Sequence, residues 1–511
     1  MRELPRRGLT PALSALLFAV ALFVFSRHGK EGELLRDGAI YVYSGERLLE
    51  GVPPFVSLFD HKGPLATFLC AAGTWVSQAT GRDELGCIRL LYLAIASACV
   101  PSLFLLARTL FPCSRSGGPL GRAVPWLAAA TFLGFTGFGA SGLGGPDPKT
   151  PVLLFVILAL ALAARGSWFL AALAGSIASL GWQPTGVFAA VAPLLAFFQS
   201  RLEERRRAVL AALAGLLLPW VLCGIYFASR SALTEFVDGI LLFNLRFLEK
   251  PTTPVAHLGF MIQSALGGFG AMGFPIALGL FVLPALALWR ARERREGASG
   301  IGGALLHDRF SGVLLTFPLP VIWSFVDFQG YPDFFVFLPY AALGFGWLLD
   351  QGLASLAELA RLGKRGSFAL RTTIVLVLVF GSAAKYYLER PREALRRQRT
   401  EAERIETKWG AAVRLVTVGA PEVLVFLQRA NPTRYGFIMR GIHRHIEAHT
   451  PGGFRGWLAE LEATRPDVIV VSHELASALP ADLASAWKEW LGGYERDPEF
   501  ARWDVYVRPR G

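Results

Sequence analysis

The chain has 511 residues, of which 53% are hydrophobic, and this composition is too apolar for an ordinary soluble protein. Its formal net charge of +12 comes from arginines that lie mainly in short clusters between hydrophobic runs, which indicates membrane topology and not nucleic-acid binding. The five cysteines show no C-x-x-C or similar spacing, so neither a zinc site nor a disulfide framework is indicated.

Eleven hydrophobic runs predict a mostly α-helical, polytopic membrane bundle. The first run follows Arg2, Arg6 and Arg7, and because no A-x-A-like site comes after it, we interpret it as an uncleaved helix and not as a signal peptide. Two runs, 151–164 and 168–181, are short, so the span count could differ by one or two. The predicted spans are 9–26, 88–107, 123–143, 151–164, 168–181, 184–198, 208–227, 267–289, 311–326, 333–349 and 367–384.

Arginine-rich loops alternate with arginine-poor loops along this arrangement. The basic clusters all fall on one side, which the positive-inside rule identifies as the cytoplasm, together with the N-terminus. The opposite side receives the long first loop (27–87), the turns near 144–149 and 181–184, the 228–257 loop and the C-terminal part. We therefore expect a plasma (inner) membrane protein whose unusual polar residues converge on the extracytoplasmic face.

The first loop is expected to contain two interfacial helices. Residues 39–49 have helical spacing and end at a Gly-Val-Pro-Pro turn, and residues 64–79 form an apolar run that is short for a span. Ionisable groups at the mouth of a membrane bundle are energetically costly, so this loop is the first place to look for function.

The composition changes again after Lys385, where a charged stretch precedes alternating strand and helix patterns. We predict strands at 416–418, 435–439, 467–472 and 503–508, and helices at 421–429, 454–464 and 481–491. The predicted domains are therefore a membrane domain over 1–390 and a small extracytoplasmic α/β domain over 391–511.

Asp37 is the leading catalytic candidate. A carboxylate just before an interfacial helix can accept a proton or orient a nucleophile. The same residue type also caps helix N-termini, and the two roles are compatible.

The order of short motifs in the first loop resembles that of the GT-C membrane glycosyltransferases. The motifs are DGAIY at 37–41, LLEGVPP at 48–54, FDHKGPL at 59–65, and Arg89 at the start of the next span. The nearest likeness is to the branch with protein O-mannosyltransferases (glycosyltransferase family 39-like) and lipid A aminoarabinose transferases. Looser matches continue to about residue 350: PDP at 146–148, GWQPT at 181–185 and YPDF at 331–334.

This resemblance implies inverting transfer of a hexose or pentose from a polyprenyl-phosphate donor to an acceptor hydroxyl on the external face. Asp37 matches the family's catalytic aspartate. Lys62 matches a lysine that faces the lipid phosphate, with Arg246 and Lys250 as further candidates for that anion. An interfacial lysine that extends to headgroups is the alternative for Lys62. The expected partners are a polyprenyl-phosphate-linked sugar, a glycan, lipid or protein acceptor of the cell envelope, and the membrane.

Six other residues are candidate substrate contacts, and three of them have a structural alternative. Asp147 could cap a helix, Gln183 could satisfy a turn, and His61 could be structural. Asp333 departs from the pattern of the family. The full set is Asp60, His61, Asp147, Gln183, Tyr331 and Asp333.

No cofactor and no metal are predicted. His443, His445 and His449 are interpreted as a solvated helix face because charged residues separate them and no fourth ligand is evident. The stretch at 419–422 lacks a G-x-G-x-x-G phosphate loop, so a nucleotide site is not indicated.

Two other function classes compete with the transferase. A transporter or flippase of a lipid-linked or small polar substrate would show internal repeats and polar residues at mid-bilayer, whereas here the polar groups gather at one face. A membrane-anchored assembly partner would act through the α/β domain alone. The sequence identifies neither the sugar, the acceptor nor the polyprenol.

Overall fold

The structure is a computed structural model that describes residues 9–111, 123–247, 254–293, 306–308, 310–438, 441–473, 475 and 479–509. Up to residue 388, the described residues are helical wherever their structure is regular. The helices are α1 Leu9–Ser26, α2 Arg36–Leu49, α3 Leu65–Thr80, α4 Glu84–Leu110, α5 Ala123–Leu133, α6 Thr136–Gly144, α7 Lys149–Ala163, α8 Trp168–Ser179, α9 Gly186–Gln199, α10 Arg205–Ser229, α11 Leu233–Val237, α12 Phe243–Arg246, α13 Pro254–Phe269, α14 Gly273–Glu293, α15 Ser311–Thr316, α16 Pro318–Val326, α17 Leu338–Leu359 and α18 Lys364–Leu388.

Short 3₁₀ and π-helical turns connect several of these helices. Turns of the 3₁₀ type occur at Gln183–Thr185, Gly270–Met272 and Tyr331–Phe337, and a π-helical turn occurs at Asp238–Leu242. The π turn begins at Asp238, whose carboxylate contacts His445 of the C-terminal part of the chain. The turn at Tyr331 lines a cavity that is described below.

Among the described residues, five helical segments are long and apolar enough to cross a membrane, or six if α5 and α6, which meet at a 53° bend, form one span. Four shorter apolar helices accompany them. The prediction of a polytopic helical bundle with a small C-terminal sheet is confirmed, whereas the count of eleven spans is not. The bend between α5 and α6 directs the end of α6, with Ser141 and Gly144, towards the cavity described below.

The C-terminal α/β region, residues 394–509, contains one four-stranded sheet. Its elements are α19 Ala394–Trp409, β1 Leu415–Val418, α20 Pro421–Leu427, α21 Ile442–His449, α22 Gly453–Ala463, β2 Val468–Val471, α23 Ala481–Leu491, β3 Glu495–Asp497 and β4 Asp504–Val507. The strand order is β1-β2-β4-β3, with β1 and β2 parallel and the other neighbours antiparallel.

The strand predicted at 435–439 is wrong for its described residues, 435–438, which are irregular; Met439 lies outside the described residues. The reason is visible at the free edge of β1. The side chain of Asn431 accepts a hydrogen bond from the Thr417 amide (3.1 Å) and donates one to the Thr417 carbonyl (3.0 Å). These are backbone groups that a further strand would need, so the edge of β1 is closed by an amide side chain.

One hydrophobic core joins the first loop to the C-terminal α/β region. It includes Ile40 and Tyr43 of α2 together with Val416 of β1 and Trp457 of α22, all buried. Polar contacts reinforce the junction, because the Gln398 side chain forms two hydrogen bonds with the backbone of Leu34, at 2.8 and 2.9 Å. A second, separate core holds the membrane helices together. The predicted division at residue 390 remains a prediction, and the first loop shares a core with the part beyond it.

Candidate functional site

A cavity of about 660 Å³ lies between the first loop, the membrane helices and the C-terminal α/β region. Its walls come from the start of α2, from the turn between α6 and α7, and from the 3₁₀ turn at Tyr331–Phe337. Its charged and aromatic lining residues are Glu33, Arg36, Asp37, Lys62, Asp147, Lys149, Tyr331, Glu422, His473, Arg502 and Trp503. Four sequence candidates, Asp37, Lys62, Asp147 and Tyr331, therefore meet at one cavity.

Asp37 and Lys62 form an ion pair on the cavity wall. Asp37 lies in the first turn of α2, and its carboxylate oxygen is 3.2 Å from Lys62 Nζ. The carboxyl side chain is 56% exposed and opens to the cavity, whereas the Lys62 side chain is only 13% exposed. Leu35, not Asp37, occupies the N-cap position, and the helix has no side-chain cap. Asp37 therefore does not form the capping hydrogen bond that was the structural alternative.

The pair is charged at neutral pH. The positive charge of Lys62 lowers the pKa of Asp37 to about 2, although burial acts in the opposite direction. Burial also tends to lower the pKa of Lys62, but the carboxylates of Asp37 and Asp60 outweigh it and raise that pKa above its usual value. The resting site thus holds a carboxylate next to an ammonium group.

The loop before α3 fixes the position of Lys62. The Asp60 carboxylate accepts hydrogen bonds from the backbone amides of His61 (2.7 Å) and Lys62 (3.3 Å). Gly63 follows, and a Cβ at this position would lie 1.9 Å from the Leu180 carbonyl oxygen, so the backbone can approach the end of α8 only without a side chain. Burial raises the pKa of Asp60 to about 6, so this carboxyl group titrates close to neutrality.

Gln183 supports this loop from outside the cavity. Its side-chain amide donates to the carbonyl oxygens of His61 (3.0 Å) and Ile240 (3.3 Å), and the Asn244 amide donates to the same His61 oxygen at 2.9 Å. The His61 ring is buried against Phe243, with centroids 5.5 Å apart. The geometry matches the structural alternatives for Gln183 and His61, since both stabilise the backbone that carries Lys62.

A buried lysine that was not among the sequence candidates also lines the cavity. Lys149, the first residue of α7, is 7% exposed, forms an ion pair with Asp333, and has its ammonium nitrogen 5.2 Å from the centre of the Trp182 ring. The missed signal was a lysine at the start of an apolar span, where an ionisable residue requires a partner. Asp333, whose role was open, is that partner, and its other oxygen accepts from the Gln329 amide at 2.6 Å.

Asp147 both accepts a hydrogen bond at the start of a helix and lines the cavity, the two properties expected for it. One oxygen accepts a hydrogen bond from the Lys149 amide at the start of α7 (2.8 Å), and the other accepts from Ser141 (2.5 Å). This is the helix-start role, and the residue also lines the cavity.

Arg89 holds the first loop against the membrane helices. It is 2% exposed, and its guanidinium donates to backbone oxygens of Lys30, Gly32 and Gly144, the last two at 2.7 and 2.8 Å. The position of the cavity wall relative to α4 therefore depends on one buried cation that donates its hydrogen bonds to backbone carbonyls.

Of the two other candidate cations, the one that the structure describes does not join the site. Arg246 is exposed at the end of α12 and does not line the cavity, and Lys250 lies outside the described residues.

The interpretation of the histidines as a solvated face is wrong for two of them. His443 and His445 are buried, because α21 packs against the π-helical turn at Asp238, and His445 Nε2 is 2.7 Å from the Asp238 carboxylate. Asp238, His445 and His449 each place one donor atom within 4.8 Å of the others, and this group could hold a metal ion. The prediction that the protein needs no metal stays a prediction.

Comparisons with known proteins give a fold and no sequence relative: no family model and no curated protein matches the chain. Solved structures do match. The crystal structure of ArnT from Cupriavidus metallidurans in the apo state superposes with a TM-score of 0.58 and 15% identity, over 98% of this chain and 100% of that chain. The structure of the same protein bound to undecaprenyl phosphate gives a TM-score of 0.56 and 13% identity, over 98% and 99%. The chain has the fold of these structures, which is the fold that the resemblance seen in the sequence implied.

Proposed function

We propose that the protein is a membrane glycosyltransferase that moves a sugar, with inversion, from a polyprenyl-phosphate donor to an acceptor hydroxyl. The observation that carries this proposal is the Asp37–Lys62 pair, at 3.2 Å, on the wall of a cavity of about 660 Å³. A single displacement needs a carboxylate on the acceptor side and a cation on the departing phosphate. The undecaprenyl phosphate bound by a protein of the same fold supports a polyprenyl carrier here.

The chemistry follows from the charges of the pair. The acceptor oxygen attacks the anomeric carbon, the bond from that carbon to the phosphate oxygen breaks, and the electron pair leaves with the polyprenyl phosphate. The acceptor proton passes to Asp37. Lys62 stabilises the negative charge on the departing phosphate.

Donor binding also prepares the base. With a pKa of about 2, Asp37 is a weak base while Lys62 stays beside it. A donor phosphate that attracts Lys62 would weaken this influence, and burial, which acts in the raising direction, would increase the basicity of Asp37. We therefore propose that the carboxylate becomes an effective base only when the donor is present.

The location follows from the arginine distribution. We place the cavity on the extracytoplasmic side of the inner membrane, with the N-terminus in the cytoplasm. Residues 1–390 would hold the donor, and residues 391–511 would form the extracytoplasmic domain.

The test is donor turnover by the purified full-length protein. Incubation with a panel of polyprenyl-phosphate hexoses and pentoses should identify at least one donor that is consumed. Asp37→Asn should then lower its turnover by roughly 10²–10⁴-fold, the usual contribution of a positioned base. Glu50→Gln is the matched control, since Glu50 follows α2 and lies outside the cavity.

Two results would contradict the proposal. One is full activity of the folded Asp37→Asn protein. The other is transport of a lipid-linked substrate across vesicles with no donor consumed, which would favour the transporter.

A further inference from the structure

The C-terminal α/β region contributes one side of the cavity through the ends of its parallel strands. Gly419 and Glu422 follow β1, whereas Ser472 and His473 follow β2, and all four line the cavity. Because β1 and β2 run parallel, their carboxyl ends lie at the same edge of the sheet. The crevice beyond this edge is where open α/β sheets bind ligands.

Glu422 has an unused hydrogen-bonding oxygen at this edge. The side chain is 7% exposed, and one of its oxygens accepts a hydrogen bond from the Trp503 indole at 2.7 Å. Its other oxygen is buried and has no hydrogen-bond partner in the described part of the chain. A buried carboxyl oxygen without a donor is destabilising, so a group at this position requires a compensating partner.

Ser472, which follows the neighbouring strand β2, also has a buried oxygen without a partner, because its hydroxyl lacks a hydrogen-bond partner within the residues described. Gly419 leaves room for it, because a Cβ there would lie 2.4 Å from Ser472 Oγ. The φ of +79° at Gly419 also favours glycine.

A purely structural role for Glu422 explains only part of the polar groups at this edge. Glu422 is the second residue of α20, where a carboxylate is favoured by the helix dipole, and it anchors Trp503. These roles account for one oxygen of one residue. They do not account for the remaining oxygen, nor for the unpaired hydroxyl of Ser472 in the same cavity.

We propose that Glu422 and Ser472 form a subsite that binds the hydroxyl groups of a sugar ring. A carboxylate accepts hydrogen bonds from sugar hydroxyls, and a serine hydroxyl can donate or accept. The assignment of this sugar to the transfer reaction rests on the proposed function. Such a ring belongs either to the donor or to a glycan acceptor.

The test measures two ligands separately on full-length protein. A panel of methyl hexopyranosides, followed by saturation-transfer NMR, probes the subsite, and titration with undecaprenyl phosphate probes the membrane side of the cavity. At least one glycoside should bind the wild type, and Glu422→Gln and Ser472→Ala should each weaken it roughly five- to tenfold. Undecaprenyl phosphate affinity and thermal stability should not change.

Asp482→Asn, on the exposed side of α23, is the matched control and should bind like the wild type. Glu422→Gln retains an oxygen for Trp503, and Ser472→Ala removes a hydroxyl that has no hydrogen-bond partner among the described residues. One variant therefore remains informative if the other does not fold. A polyprenyl-phosphate sugar that displaces the glycoside would assign the subsite to the donor, and one that leaves it bound would assign it to the acceptor.

Failure of the subsite is distinguishable from failure of the proposed function. Equal glycoside affinity in wild type and both variants, or no glycoside binding at all, overturns the subsite whatever the lipid does. Glycoside binding that depends on Glu422 and Ser472, without any binding of undecaprenyl phosphate, supports the subsite and argues against the transferase.

Discussion

Two carboxyl groups on helix α2 lie in opposite electrostatic environments. Asp37, in the first turn, faces Lys62, whose charge lowers the pKa of the carboxyl group to about 2. Glu46, later in the same helix, faces Glu84, and burial together with this like charge raises its pKa to about 10. At neutral pH one end of the helix therefore carries a carboxylate and the other a protonated acid.

The surroundings of Glu46 form a second cavity, of about 510 Å³, between helices α2 and α3 and the C-terminal α/β region. Thr74 donates a hydrogen bond to Glu84, and Arg47 pairs with Glu50 instead of neutralising Glu46. Both cavities have α2 in their walls, but the Asp37 side chain is 56% exposed beside a cation, whereas burial and the nearby Glu84 carboxyl group keep Glu46 protonated. Of these two carboxyl groups, only Asp37 is ionised at neutral pH and available for chemistry.

Replacing Lys62, the cation beside Asp37, should have the largest effect of the substitutions that compare the two ends of α2. Lys62→Gln should reduce donor turnover by roughly 10- to 100-fold, because a charge-assisted contact to the phosphate is lost. It should also raise the pKa of Asp37, since burial then acts without the lysine. Activity that needs the carboxylate is lost as pH falls through this pKa, so the acidic limb of the pH–rate profile should move to higher pH.

Lys62→Arg is the control for this experiment, because it keeps the charge and should leave the acidic limb near its wild-type position. Asp60, with a pKa of about 6, titrates nearby, so the profile is also measured with Asp60→Asn in both backgrounds. An acidic limb that stays unchanged in Lys62→Gln would show that Lys62 does not control Asp37.

The protonated carboxyl group of Glu46 should affect how the stability of the folded protein depends on pH. The pKa of Glu46 is raised above its ordinary value of 4.5, so its contribution to stability is full below that value and is lost as pH rises towards 10. Glu46→Gln mimics the protonated acid. We expect equal melting temperatures at pH 5, and at pH 9 a variant that melts a few degrees above the wild type.

Asp482→Asn, at the exposed start of α23 and outside both cavities, is the control and should follow the wild type at both pH values. If Glu46→Gln loses stability with rising pH as steeply as the wild type, Glu46 is ionised in the folded protein and the comparison fails.

The smallest effect is expected at a cation outside both cavities. Arg246→Gln removes an exposed charge at the end of α12 and should change donor turnover less than twofold. A loss comparable to that of Lys62→Gln would mean that the donor phosphate extends beyond the cavity wall.

The sequence predicted those features that depend on local pattern. Long apolar runs became helices, and the short run ending at Val471 became a central strand, because periodicity and length are properties of contiguous residues. The strand predicted at 435–439 failed because Asn431 closes the edge of β1, a contact between separate segments. The third strand, Glu495–Asp497, was missed because it is short and charged.

The same limit applies to the site. Asp37 and Lys62 were found because both lie in one loop whose motifs are recognisable. Glu422 and Ser472 could not be found in this way, because they reach the cavity only through the pairing of β1 with β2 and the docking of that sheet on α2. His445 was misjudged for a related reason, since its partner Asp238 lies in another loop.

The core shared by α2 and the C-terminal α/β region has a consequence for biogenesis. A ribosome makes the loop with Asp37 several hundred residues before it makes β1, β2 and α22, which cover the apolar face of that loop. Until synthesis ends, Ile40 and Tyr43 have no partners from these elements, and the cavity lacks the side that the C-terminal α/β region supplies. We therefore expect chains truncated before β1 to have an incomplete cavity and to be prone to degradation.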